Sequence, residues 1–172
     1  MNYRKIGIYS LIITLLAVIG CSSIQPASPK QEAAAPIPKY TLDSIIKKNV
    51  EPTSIPLSFG GKAFCDYKVI DSEKDNSTIK IYLFLLAQEY YVKDNKLLMG
   101  TGGDFTAVLT VKQENNNYKF VNCNISRAEE TDESLKIFPK SVRKKAAKDP
   151  GFDDSSLKKL QKDAETYFKI KS

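Results

Sequence analysis

From about Tyr40 to Ser172 the chain predicts an α+β domain: an antiparallel four-stranded curved sheet flanked by an N-terminal helix and C-terminal helices. Three observations carry this reading. Four alternating apolar runs lie between Ala63 and Ile125, joined by short polar turns. The segments on either side space their apolar residues as a helix does. The whole stretch, about 130 residues, is enough for one core.

The elements follow in order. Thr41 is placed to cap a short helix, Leu42 to Asn49, with Leu42, Ile45 and Ile46 on one face and Pro52 and Pro56 ending it. Ala63 to Asp71 alternates, with Phe64, Asp66, Lys68 and Ile70 on one side and Cys65, Tyr67 and Val69 on the other. Asp71 to Ser77 reads as a polar turn. Thr78 to Lys93 is the strongest strand. Ile79, Ile81, Leu83, Leu85 and Ala87 share one face; Tyr82, Phe84, Leu86, Gln88 and Tyr90 share the other. Both faces are apolar, which predicts a central strand. Lys93-Asp94-Asn95-Lys96 has the chemistry of a tight reversal. Leu97 to Lys112 follows, interrupted at Gly100-Thr101-Gly102-Gly103, and Asn115-Asn116-Asn117 turns into Tyr118 to Ile125.

The end of the chain is helical. Thr131 can cap Asp132 to Phe138, and Pro139 can open a second piece to about Lys148. Pro150-Gly151 breaks the chain. Asp153 to Ser156 offers caps for Leu157 to Ile170, with Leu157, Leu160, Ala164, Tyr167 and Phe168 as the apolar stripe. The element order suggests a helix in the concavity of the sheet, as in nuclear-transport-factor-like or cystatin-like folds.

The first forty residues are of a different kind. Arg4 and Lys5 precede an apolar stretch, Ile6 to Ile19, that stops at Gly20-Cys21. This is the layout of a signal peptide, residues 1–20, and the stretch is shorter than a comfortable bilayer span. Val18-Ile19-Gly20-Cys21 resembles the lipobox of bacterial lipoproteins. The resemblance implies diacylglyceryl transfer to the Cys21 thiol, cleavage between Gly20 and Cys21, and acylation of the new amino group. Residues 21–39 then form a lipidated, Pro- and Ala-rich tether, with Pro26, Pro29, Pro36 and Pro38. Several acyl chains give a stable hold on a membrane where a single one does not. The expected address is the cell envelope: the periplasmic face of the outer membrane in a diderm, or the outer face of the plasma membrane in a monoderm.

Removing residues 1–20 takes Arg4 and Lys5 from the 26 basic side chains and none of the 20 acids, leaving a net charge of +4. That excess is too small to point to nucleic acid. The expected partners are the membrane, through Cys21, and an extracytoplasmic protein or small molecule.

A second resemblance lies within the sheet. Ile81-Tyr82-Leu83-Phe84 through Gln88-Glu89-Tyr90-Tyr91, then Asn95-Lys96-Leu97, Gly100-Thr101-Gly102-Gly103 and Phe138-Pro139 look like an uncharacterised family of small bacterial exported proteins. The resemblance covers roughly Ala63 to Lys148. It implies no activity and no site residues.

Candidate chemistry is sparse. The chain has no histidine, which removes Ser-His-Asp and Cys-His nucleophile systems, imidazole metal ligands and the usual base near neutral pH. The expectation is a protein that is not an enzyme. No cofactor motif or metal-ligand pattern stands out. Cys65 and Cys123 remain once Cys21 is lipidated. In an exported domain they are a candidate disulfide, yet on the first and fourth strands of a meander they sit about three strand spacings apart. Free thiols in the core are the other reading. Gly100 to Asp104 lacks the lysine of a phosphate loop and reads as a bulge in a long strand. Asp71, Glu73 and Asp75 lack the glycine and closing glutamate of a calcium loop. Lys140, Arg143, Lys144, Lys145 and Lys148 form a basic segment able to meet anionic head groups or to stay solvated. Tyr82, Phe84, Tyr90 and Tyr91 are the candidate ligand groove. The functional expectation is a membrane-anchored, non-enzymatic binding module. The alternatives are an accessory subunit of an envelope complex and, third, a hydrolase independent of histidine.

Overall fold

The chain parts into two units, residues 1–30 and 31–172. The computed structural model describes residues 37–115, 117–127 and 131–170, all in the second unit. The predicted signal peptide, residues 1–20, and the predicted lipidation site Cys21 lie outside the described residues.

The fold is α+β. Strands β1 (Lys62–Asp75), β2 (Thr78–Lys93), β3 (Lys96–Glu114) and β4 (Asn117–Ile125) form one antiparallel sheet in the order β1-β2-β3-β4. Helix α1 (Lys39–Ile45) precedes it; α2 (Thr131–Ser134), α3 (Lys140–Ala146) and α4 (Asp154–Phe168) follow it.

The reversals explain the meander. Asp94 and Asn95 both have positive φ, 52° and 58°, the signature of a two-residue hairpin turn whose twist matches that of its strands. Asn76 (φ 53°) and Asn115 (φ 46°) serve the other two hairpins. The first hairpin is longer than the sequence suggests. Asp71 to Asp75 continue β1, pairing with Tyr82 to Thr78; Glu73 accepts across the ladder from the Tyr82 hydroxyl, and Asp71 is held by Lys145 of the later helix cover.

Helix cover lies on both faces of β2, which accounts for its two apolar faces. On one face Leu83, Leu85, Leu109 and Val111 pack against Leu42, Ile45, Ile46 and Val50. On the other, Phe64, Leu86 and Tyr90 meet Leu160 and Ala164 of α4. Beside them Tyr82 meets Leu135, Phe138, Val142 and Ala146. The sheet is thus the middle of three layers.

The first helix departs from its predicted bounds. Ile37 is buried and Pro38 leads directly into α1 at Lys39, so Thr41 lies inside the helix and does not cap it. Proline's fixed φ, here −51°, is already near-helical. The helical path then runs on through a π turn (Ile46–Val50) and a 3-10 turn (Glu51–Thr53), which accommodates Pro52 instead of ending at it. At the other end Asp153 caps α4, its carboxylate accepting from the Ser155 amide at 3.0 Å. Among the described residues no helix is long and apolar enough to cross a membrane.

Candidate functional site

The four aromatics of the predicted groove do not line one surface. Tyr82 is buried beneath α3, in edge-to-face contact with Phe138 at 5.6 Å between ring centroids. Its hydroxyl donates to Glu73 at 2.6 Å. Tyr90 is buried beneath α4, edge-to-face with Phe64 at 5.9 Å. Tyr91, one residue on, points to the opposite face and stacks on Phe59 at 5.0 Å. Tyr82 also borders a shallow opening beside Phe138; Phe84 lines a separate one of its own.

That opening is a cavity of about 340 Å³ between α3, the chain that follows it and the middle of the sheet. Strand alternation puts Phe84 on the same face as Tyr82 and Leu86, but neither α3 nor α4 closes over it completely. Leu135, Ala146, Pro150 and Phe152 give the remaining apolar walls. Two carboxylates stand at the rim. Asp149 is engaged, accepting from the Gly151 amide at 2.8 Å and meeting Lys68 at 3.4 Å. Asp104 is exposed at the rim with no hydrogen bond or ion pair among the described residues, and partial desolvation by the neighbouring walls raises its carboxyl. A cavity with apolar walls and one free acceptor suits a small ligand carrying a cationic or donor head.

A larger cleft, about 490 Å³, lies along the β1 edge between the first helix and α4. Most of its charges are paired. Glu51 meets Lys62 at 2.6 Å, Asp43 takes both Lys39 and the Tyr67 hydroxyl, and Asp66 meets Lys159 at 2.5 Å. These pairs hold the helices to the edge strand, while Lys47 and Asp163 line the same cleft outside them.

No family model matches the chain, nor does any curated protein or solved structure. The site therefore rests on its own geometry.

Cys65 and Cys123 are both free thiols, on β1 and β4, with β2 and β3 between them. Both pack against the core beneath α1. The simple meander is what keeps them unbridged. Burial pushes Cys65 up to about 12 and Cys123 up to about 11, so neither is a thiolate at neutral pH. The glycine run of β3 does form a bulge: Gly100 and Thr101 together oppose Glu89. Asp71 and Glu73 bond to Lys145 and Tyr82 and do not converge on an ion site. In the basic segment Lys145 is committed to Asp71, and Arg143 donates to the Phe138 carbonyl at 2.9 Å. Among the described residues no group of three or more acidic or cysteine side chains converges as a metal site.

Sequence reasoning did not single out Glu89. Its side chain is wholly buried, and its carboxylate accepts four backbone amides: Ser58 at 3.1 Å, Phe59 at 3.1 Å, Gly61 at 2.9 Å and Thr101 at 3.2 Å. Burial alone would raise this carboxyl; the four amides outweigh it and hold it below the ordinary value. Next to it Gln88 donates to the Gly100 and Thr101 carbonyls at 3.0 and 3.2 Å. The bulge's spare amide and carbonyls are thus taken by two consecutive side chains of β2. Gly100 is required there, since a Cβ would lie 2.6 Å from the Glu89 carboxylate.

Proposed function

We propose that this chain is a lipid-anchored, extracytoplasmic binding module that takes a small amphipathic cation in the cavity over Phe84. The observation that carries the reading is Asp104: a carboxylate with no partner among the described residues, at the rim of an apolar-walled cavity of about 340 Å³. An ammonium head would meet Asp104 while an apolar body covers Phe84, Leu135 and Phe152. Such a ligand restores the favourable environment that partial desolvation takes from the carboxylate. The lipobox at Val18 to Cys21 supports the anchor, and the blocks between Ile81 and Pro139 support kinship with small exported bacterial proteins.

Benzylamine is a suitable probe, with benzyl alcohol as its neutral counterpart. Titration followed by NMR should give benzylamine a Kd on the order of 1 mM, the range open to a ligand of that size. The shifts should centre on Phe84 and Phe152. Asp104→Asn should abolish the preference for the amine. Equal binding of amine and alcohol, or shifts elsewhere, would refute the cation reading. The anchor has its own test: metabolic labelling with an alkynyl fatty acid should mark the wild type and not Cys21→Ala.

A further inference from the structure

We propose that the tip of the β2–β3 hairpin, together with Phe59, is a contact surface for an anionic phospholipid bilayer. The proposal deepens the anchored reading above and rests on it.

The register creates the surface. Lys93 pairs directly with Lys96, and Tyr91 with Leu98. Side chains two apart on a strand share a face, so both lysines, Tyr91 and Leu98 point the same way. Phe59 adds its ring to that face, stacked on Tyr91 with the planes 9° apart. Phe59 is 56% exposed and neighbouring Leu57 is 42% exposed. This conformation is built, because three amides of the 58–61 segment are drawn inward to the buried Glu89 carboxylate. The same fixing leaves the Phe59 and Leu57 side chains turned to solvent. A rigid loop that spends a buried charge to hold aromatic surface in water indicates a partner for that surface.

Charge identifies the partner. Two ammonium groups directly opposite each other repel. Among the described residues neither Lys93 nor Lys96 has a carboxylate in ion-pair range, and Asp94 in the turn between them pairs with neither. Phosphate head groups complement both lysines, while Phe59, Tyr91 and Leu98 suit the boundary just below. The basic segment of α3 is a poorer candidate. Lys145 and Arg143 are engaged within the domain, and no exposed large apolar side chain lies on that helix.

The chain has no tryptophan, so a single introduced indole reports cleanly. Full-length lipidated Phe59→Trp would be reconstituted on vesicles of phosphatidylcholine and phosphatidylglycerol with brominated acyl chains. Val121→Trp, at an exposed position on β4, is the control. Brominated lipid should remove about half of the Phe59→Trp emission, as expected for a side chain at the head-group boundary, and leave Val121→Trp unchanged. Lys93→Glu with Lys96→Glu, or vesicles of phosphatidylcholine alone, should abolish the quenching while the protein still floats with the lipid. Floating protein with no quenching at position 59, with equal quenching at 59 and 121, or with quenching unaffected by the charge reversal would overturn the proposal. Protein that fails to float would overturn the anchor and this surface together. Quenching that appears only with an added protein partner would assign the face to that partner instead.

Discussion

The Glu89 carboxylate accepts the amide of Thr101 at 3.2 Å, joining the last turn of a central strand to the extra residue of the bulge opposite it. The same carboxylate gathers the loop before β1, so one side chain fixes both the hairpin end and the entry to the sheet.

Glu89→Gln should therefore be among the costliest polar substitutions in the domain. The amide keeps one acceptor oxygen and turns an NH2 group toward amide donors. A loss of roughly 2–3 kcal/mol is expected, the cost of leaving buried donors unsatisfied. Urea denaturation checks it, as a lower midpoint at unchanged slope.

Acid should weaken the same contact. The folded carboxyl of Glu89 lies below its unfolded value. Its stabilising contribution is then complete above the unfolded pKa and is lost as pH falls through the folded one. The stability difference between wild type and Glu89→Gln should be constant near neutrality and shrink in that acid window. A difference that stays constant into strong acid would contradict the four-amide cage.

Asp104 should behave in the opposite sense. Partial desolvation raises its carboxyl and no partner compensates, so stability from this group is gained as pH falls through the folded value. At neutral pH Asp104→Asn should leave stability within about 0.5 kcal/mol of wild type or raise it, as for a surface change without partners. Benzylamine binding should be lost in the same variant. It should also weaken in the wild type as acid neutralises Asp104.

Leu160 carries the docking of α4. It is fully buried against Phe64, Leu86 and Tyr90. Leu160→Ala should cost about 2–5 kcal/mol. Amide hydrogen exchange should quicken through α4 before the rest of the sheet.

The elements governed by local rules were legible in the sequence. Alternation from Ile79 to Tyr90 identified β2 and both its buried faces, Asp94-Asn95 announced a tight hairpin, and the glycines after Met99 marked the bulge. What sequence could not supply was the pairing of faces with covers. Tyr82, Phe84 and Tyr90 share a strand face and a residue type, yet α3 takes the first, α4 the last, and Phe84 lines the cavity left between them. Glu89 was hidden for a related reason. Three of its amide donors come from about thirty residues upstream, and no spacing rule connects a strand glutamate to a distant loop.

The thiols offer a final measurement. Native protein should resist a thiol reagent at neutral pH, with Cys65 and Cys123 both reacting once urea opens the core. Rapid modification of either in the native state would contradict their burial.

A consequence for the protein's life history follows from those two side chains. Among the described residues the domain carries no disulfide, so its maturation needs no oxidant. Its folding should go to full yield in reducing buffer, whereas an oxidant acting on the unfolded chain can bridge Cys65 to Cys123, a link the meander cannot accommodate, and should lower the yield.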